Sequence, residues 1–270
     1  MGLGLGNSLA IKYAKKYGSS LAPSDISGLD VWFKVNTGIV ANSGNSTAAG
    51  NMADGEDINS WADQSGNDRH ATQTQASKKP HWETDAADFG GLVWPDDTAD
   101  THMNMATNVG GNSDNIAANE DFTIMIRAKI TAFNTVNALI GSAAQNVIKW
   151  NSNKKVTILI AGGGASANHF EESSDTLATD TYYIHTLTRS NGATGNLTYH
   201  VHGGSYDDKS WDDAENHTDT DSFELNNIGC ASDGVLPVEG VFKDVLVWKG
   251  TALSDEQRAA MYTYILAQDY

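Results

Sequence analysis

A short segment between residues 61 and 73 constrains the fold more than any other part of the chain. It reads Trp61-Ala62-Asp63-Gln64-Ser65-Gly66-Asn67-Asp68-Arg69-His70 and continues into alternating polar residues. Gly66 can adopt the positive φ angle of a tight turn, and the side chains of Asp63 and Ser65 can satisfy the amides of that turn. The segment therefore predicts a tight turn that leads into an extended strand.

Alternation of apolar and polar residues dominates the chain from Ile26 onward. In residues 122–130 the apolar side chains fall on one face, which is the period of a half-buried strand. The other predicted strands are 29–35, 89–94, 138–141, 147–150, 156–161, 182–189, 197–202, 223–228 and 240–248. Residues 36–59 and 206–221 are predicted to be long loops. Short strands separated by turns favour an all-β antiparallel sandwich.

Two local motifs fix parts of this arrangement. Asn191-Gly192 and Gly195 provide the backbone conformations of a β-hairpin turn and join residues 182–189 to 197–202. Ser254 and Gln257 form a capping box, which predicts that a C-terminal helix begins there. The sandwich domain is thus predicted to span residues 26–270, including this helix.

Residues 1–25 differ in composition and predict a separate N-terminal arm. Ser8 can cap a short helix in which Leu9, Tyr13 and Tyr17 share one stripe. A helix this short is marginal in water, so it needs a partner surface on the sandwich or on another protein. We interpret it as a docking arm; the alternative is a frayed terminus.

The charge of the chain limits its partners. It has 17 Lys and Arg against 34 Asp and Glu, a net charge of −17, which disfavours binding to nucleic acid. Cys230 is the only cysteine, so an intrachain disulfide is excluded. The sequence has neither a signal-peptide pattern nor an apolar run of about 20 residues, so we expect no export signal and no membrane insertion.

Several segments, in the same order, resemble the laminin-G-like family of concanavalin A-like jelly-roll domains. They are the turn at 61–73, the strand at 122–130, the hairpin at 182–203, and the strand at 240–248 followed by Leu253-Ser254-Asp255-Glu256. The resemblance covers roughly residues 28–268 and implies a jelly-roll sandwich. It also implies Ca²⁺ and glycan or protein binding at a rim, although no residue matches a transferable Ca²⁺ motif.

The acidic segment after Tyr206 is the candidate cation site. Ca²⁺ prefers six to eight oxygen ligands, and this segment supplies several carboxylates. The candidate ligands are Asp207, Asp208, Asp212, Asp213, Asp219 and Asp221. The alternative is a hydrated acidic loop. Residues 54–57 together with Asp63 are a second candidate cation site. The alternative is that these acids cap turns.

Tryptophans near loops are the candidate glycan contacts, because an aromatic ring can stack on the apolar face of a pyranose. Trp211, which lies beside acids and Asn216, is the first candidate, and Trp150 is another. Trp32, Trp61 and Trp248 lie in strands or in the turn segment and are predicted to be core residues.

Two further patterns suggest chemistry but are weaker. Glu83-Thr84-Asp85-Ala86-Ala87-Asp88 approaches the Glu-x-Asp-x-x-Glu strand of laminarinase-type glycosidases, but its last acid is one methylene short. His200 and His202 share one strand face, the spacing of a two-histidine metal pair, yet a third ligand is missing. We expect solvent-facing histidines and no enzymatic activity.

A lectin-like sandwich without export signal or disulfide leads to a functional expectation. We expect a non-enzymatic bacteriophage virion surface protein, made in the host cytoplasm: a capsid decoration, head fibre or tail accessory. Residues 1–25 would contact other virion proteins, the sandwich would bind a host-surface glycan, and exposed edge strands favour a homo-oligomer. The alternatives are a free or exported carbohydrate-binding or adhesin module, and a glycoside hydrolase with an unrecognised carboxylate pair.

Overall fold

Two antiparallel β-sheets enclose one apolar core in this computed structural model, as the alternating segments predict. The structure describes residues 21–84, 90–95, 100–105, 115–133, 136–143, 146–160, 168–171, 176–211, 221–232 and 235–268. The strands are, in chain order, β1 (Leu29–Lys34), β2 (Ile39–Ala41), β3 (Ile58–Trp61), β4 (Ala71–Thr72), β5 (His81–Glu83), β6 (Gly91–Trp94), β7 (Met103–Met105), β8 (Asn115–Ile116), β9 (Phe122–Ile130), β10 (Asn137–Ala143), β11 (Asn146–Trp150), β12 (Val156–Ile160), β13 (Asn168–Glu171), β14 (Tyr182–Ser190), β15 (Asn196–Gly203), β16 (Tyr206–Trp211), β17 (Phe223–Glu224), β18 (Asn227–Ile228) and β19 (Gly240–Lys249).

The first sheet has the order β16-β15-β14-β9-β19-β6-β5, and β1 also pairs with β19. The second sheet has the order β13-β12-β11-β10-β18-β7-β4-β3-β2, and β8 pairs with β17 in a small third sheet. All of these pairs are antiparallel. The predicted hairpin forms, and its register pairs Arg189 with Leu197 and Thr186 with His200.

Large aromatic side chains fill the space between the sheets. Trp61 and Trp94 are fully buried. Their rings lie 5.3 Å from Phe33 and 4.5 Å from Phe242, respectively. Burial of such side chains removes large apolar surfaces from water and is the main favourable contribution to folding.

The turn segment attaches the second sheet to β1. The Asp63 carboxylate accepts hydrogen bonds from the backbone amides of Trp32, Ser65 and Arg69 at 2.8, 2.9 and 3.2 Å. Asn67 donates its side-chain amide to the carbonyls of Leu29 and Asp30. The oxygens of Asp63 thus serve turn capping, the alternative to a cation site in this segment.

The C-terminal helix covers the outer face of the first sheet. Helix α1 (Asp255–Leu266) begins at the predicted capping box, where Ser254 Oγ accepts from the Gln257 amide. Its Met261, Tyr262 and Ile265 pack on a cluster that includes Met125 and Leu246. The prediction of a half-buried strand at 122–130 was therefore incomplete, since β9 is buried on both faces.

Two predicted loops contain strands. Residues 36–59 include β2 and the start of β3, and the segment 206–221 begins with β16. Strands this short or this polar give little periodic signal, and tertiary pairing decides their conformation. Among the described residues, no helix is long and apolar enough to cross a bilayer.

Candidate functional site

The hairpin of β15 and β16 places a carboxylate against helix α1. The register shifts between Val201 and Gly203, and Asp208 adopts a left-handed φ of 51°. Such a bulge bends the strand and redirects a side chain. Here it brings Asp208 to the buried face of α1, where Arg258 projects from the first turns.

Asp208 and Arg258 form a bidentate ion pair. Arg258 Nε donates to Asp208 Oδ1 at 3.0 Å, and Nη2 donates to Oδ2 at 3.0 Å. Nη2 also donates to Asp255 Oδ1 at 3.1 Å. The guanidinium is thus shared between one partly buried carboxylate and one that is 86 % exposed. Paired donors of this kind fix both the orientation and the charge of the partners.

Tyr262 and His200 complete the contacts of Asp208. The Tyr262 hydroxyl donates to Asp208 Oδ1 at 2.9 Å and lies 3.2 Å from Thr186 Oγ1. His200 Nδ1 lies 3.4 Å from the same carboxylate oxygen. Burial opposes ionisation of Asp208, but the nearby His200 and the hydrogen-bonded Arg258 prevail and lower its pKa. Asp208 is therefore an ionised acceptor at neutral pH.

His202 packs against the same tyrosine. Its ring stacks on Tyr262 with centroids 4.6 Å apart, and Nδ1 lies 3.6 Å from Asp207 Oδ1. Burial lowers the pKa of His202 although Asp207 and Asp208 act in the opposite direction. The prediction that His200 and His202 face solvent was wrong, since helix α1 covers this strand face and leaves His200 only 7 % exposed.

A groove of about 600 Å³ lies between the β14–β16 strands and the start of α1. We call it the hairpin–helix groove. Hydroxyl groups and charged side chains make up most of its wall. Its lining residues are Thr188, Ser190, Thr198, His200, Asp208, Ser210, Ala252, Leu253, Ser254, Asp255 and Arg258.

Thr188 contributes to the wall of this groove a hydroxyl that is unpaired among the described residues. It is 6 % exposed, and its hydroxyl has no hydrogen-bond partner within the part of the chain that the structure describes. Its neighbour on the same strand face, Thr186, contacts Tyr262 instead. Buried hydroxyls are normally hydrogen-bonded, because leaving one unpaired costs about 1–3 kcal/mol. A hydroxyl without a partner beside a groove indicates a place for a polar ligand or a bound water.

The structure locates only part of the predicted glycan site. Trp150 is 1 % exposed and packs in the core, 5.2 Å from Phe133 and 5.1 Å from His185. It cannot contact a glycan from this position, because β11 directs its side chain between the sheets. Trp211 is the last residue of β16, one of the groove strands, whereas Asn216 lies outside the described residues.

The predicted cation ligands do not come together in the described residues. Asp208 has its oxygens in the ion pair with Arg258, and a neighbouring guanidinium does not suit a Ca²⁺ ligand. Asp207 is 77 % exposed beside His202. Within the described ranges no group of three or more acidic, histidine or cysteine side chains could hold a metal ion. Asp212, Asp213 and Asp219 lie outside those ranges, and so do Leu9, Tyr13, Tyr17 and Asp85.

The helix side of the groove was not predicted from the sequence. Arg258 is 4 % exposed and lies on the stripe of α1 that continues through Met261, Tyr262 and Ile265. This spacing of three and four residues would have predicted a buried arginine in need of a carboxylate partner. Thr188 gave no comparable signal, because its exposure depends on how α1 covers β14.

Comparisons with known proteins identify the fold. No protein-family model and no curated protein matches the chain. The sialidase of Trypanosoma rangeli in complex with sialic acid is similar in structure, with a TM-score of 0.51 and 14 % identity over 98 % of this chain and 38 % of the sialidase. Its complex with the inhibitor DANA gives a TM-score of 0.52, 12 % identity, and 95 % and 37 % coverage.

A smaller domain also resembles part of the chain. The CBM40 domain of the Ruminococcus gnavus IT-sialidase, bound to α2,3-sialyllactose, has a TM-score of 0.39 and 17 % identity, covering 54 % of this chain and 83 % of that domain. At these identities the likeness to the T. rangeli structures shows the β-sandwich fold alone.

Proposed function

We propose that this protein is a carbohydrate-binding module without catalytic activity and that the hairpin–helix groove holds the sugar. One observation carries the proposal. The groove presents hydroxyls and carboxylates side by side, and among them the nearly buried Thr188 hydroxyl has no partner in the described chain.

The groove matches the chemistry of a sugar. A pyranose offers several hydroxyls, each of which can donate one hydrogen bond and accept two. The lining serines and threonines can do the same, and ionised Asp208 and Asp255 accept charge-assisted hydrogen bonds, which are about twice as strong as neutral ones. A pair of adjacent sugar hydroxyls could therefore bind to one carboxylate and one hydroxyl of the wall.

The same contacts disfavour hydrolysis. Glycosidases of the usual type need one carboxylic acid that remains protonated near neutral pH. The carboxylates of this groove both contact Arg258, and the pKa of Asp208 is lowered. A carboxylate held ionised by a guanidinium can accept hydrogen bonds but is a poor proton donor, so we propose binding without turnover.

The fold comparisons are consistent with a sugar ligand but are not the basis for proposing one. The T. rangeli sialidase, which shares the sandwich, has been solved with sialic acid. Folds of this kind host many functions, so the groove and not the fold is the basis of the proposal. The groove therefore favours a carbohydrate-binding module over a glycoside hydrolase.

The virion role remains a prediction. It was predicted from a lectin-like sandwich without export signal or disulfide, and residues 1–25, the expected contact with other virion proteins, lie mostly outside the described residues. Glycan attachment at the hairpin–helix groove suits a virion protein as well as an adhesin. Incorporation of the chain into phage particles with and without residues 1–25 would test that role separately.

An array of immobilised oligosaccharides tests the proposed function. Ser210→Trp places an indole at the exposed rim of the groove, and Ser205→Trp places the same group at the exposed tip of the same hairpin, outside the groove. We expect the wild-type chain and Ser205→Trp to bind the same glycans and Ser210→Trp to lose binding. Equal binding by both variants would exclude the groove, and release of reducing sugar from bound glycans would exclude the non-catalytic role.

A further inference from the structure

The charges around the hairpin–helix groove indicate which sugars it accepts. We infer that the groove binds neutral sugars and discriminates against sugars that carry an anionic group, such as a sialate or a uronate. This inference rests on the proposed function and adds the class of ligand to it. The nearby Thr188 hydroxyl, nearly buried and without a partner in the described chain, remains the independent sign of a polar ligand.

The arginine of the groove is not free for an anion. Recognition of a carboxylate by arginine normally uses two parallel N–H groups of the guanidinium. In Arg258 the Nε–Nη2 edge faces Asp208, and Nη2 also donates to Asp255. The side chain is only 5 % exposed. A sialate would have to displace one of these carboxylates from a buried guanidinium. Breaking that buried ion pair costs more free energy than a new ion pair with the sialate at the groove rim would provide.

The carboxylates outnumber the cation in the groove. Asp208 and Asp255 carry two negative charges against the one positive charge of Arg258. Asp207, which is 77 % exposed, precedes Asp208, and Glu256 follows Asp255 with its carboxylate on Ser254 Oγ at 3.0 Å. The whole chain carries −17. An anionic sugar would therefore enter a field of its own sign, which salt screens only beyond about 8–10 Å.

These carboxylates are nevertheless well placed for neutral hydroxyls. Asp255 is 86 % exposed, and Arg258 contacts only its Oδ1 atom, so the rest of the carboxylate is open to a ligand. Asp208 retains 29 % exposure while its charge is fixed by the ion pair. Sugar hydroxyls that donate to these oxygens replace water without adding charge, and the Thr188 hydroxyl is available as a further partner.

The test uses an array of matched oligosaccharides, each present with and without a terminal sialic acid, at low ionic strength. We expect neutral members to bind about tenfold or more tightly than their sialylated counterparts, and added salt to reduce this ratio. Asp255→Asn should weaken binding of the neutral oligosaccharide about five- to tenfold, because one charged hydrogen bond is lost. It should also reduce the ratio of the affinities for neutral and sialylated oligosaccharides. Glu256→Gln removes an equal charge one residue away, outside the lining. It should lower the preference for neutral sugars, because Glu256 also belongs to the negative field, but change the affinity for the neutral sugar less than twofold.

The outcomes separate the two proposals. Tighter binding of the sialylated members would overturn the inference and leave a carbohydrate-binding function in place. Equal losses of affinity for the neutral sugar in Asp255→Asn and Glu256→Gln would also overturn it, because the Asp255 carboxylate would then have no specific role in the groove. If no oligosaccharide of either class binds the wild-type chain, the proposed function itself fails, and the inference fails with it.

Discussion

His185 should make the fold sensitive to mild acid. It lies on the inward face of β14 at 2 % exposure, with its ring 5.1 Å from Trp150 and its Nδ1 atom hydrogen-bonded to the Tyr199 hydroxyl. Burial lowers the pKa of His185 to about 3. In the unfolded chain the pKa is the ordinary value of about 6.5.

The sign of the effect follows from where the proton binds. Below about pH 6.5 the unfolded chain gains a proton on this histidine, while the folded chain stays neutral there until about pH 3. Unfolding is therefore favoured as the pH falls through this window. Between about pH 7 and about pH 5 the free energy of unfolding should fall by about 2 kcal/mol from this residue alone.

The matched variant is His185→Gln, which removes the titration and keeps an amide that can bind the Tyr199 hydroxyl. Urea unfolding followed by tryptophan fluorescence at both pH values gives the free energies. Between the two pH values we expect the free energy of unfolding of the wild-type chain to fall by about 2 kcal/mol more than that of the variant. This difference does not depend on how much the substitution destabilises the fold at neutral pH. His202 has a lowered pKa in both chains, so its contribution cancels. Equal losses in the two proteins would refute the reasoning.

Three further predictions concern stability and use the same unfolding assay. Asp208→Asn should lower the free energy of unfolding by about 2–3 kcal/mol, because it leaves the buried Arg258 with one exposed partner. Asp255→Asn should lower it by less than about 1 kcal/mol. Similar losses in the two variants would show that the pair of Asp208 and Arg258 is not structurally important. Asp63→Ala should cost about 3 kcal/mol through the backbone amides it leaves unpaired, and a loss below about 1 kcal/mol would contradict that role. Ser254→Ala should cost about 1 kcal/mol and shorten α1, which a far-ultraviolet circular dichroism spectrum would check.

Much of the fold was predictable because its elements carry strong local signals. The alternation in 122–130 predicted β9, and the strand predicted at 240–248 matches β19 within one residue. The capping box at Ser254 located the start of α1. The sequence could not indicate that α1 lies across β9 and β14, since that depends on contacts between distant segments. Arg127 Nη1 and the Ile265 carbonyl are 138 residues apart, and Thr186 and Tyr262 are 76 residues apart.

The site was less predictable than the fold for the same reason. The acids after Tyr206 were noticed, but their partner Arg258 lies 50 residues away in sequence, and the ion pair changes Asp208 from a possible cation ligand into a fixed acceptor. Trp150 was predicted to contact a glycan because it lies near a loop in the sequence. The order of strands in the second sheet decides that its side chain points into the core. Such facts follow from topology, which local patterns do not contain.

A titration of the isotopically labelled chain with a neutral oligosaccharide, followed by amide chemical shifts, tests the central claim most directly. The account predicts saturable shifts confined to the amides of β14, β15 and β16 near Thr188, Ser190, Thr198 and Ser210, and to the first turn of α1. Saturable shifts confined to the second sheet, or no shifts with any oligosaccharide, would contradict the assignment of the hairpin–helix groove as a sugar site.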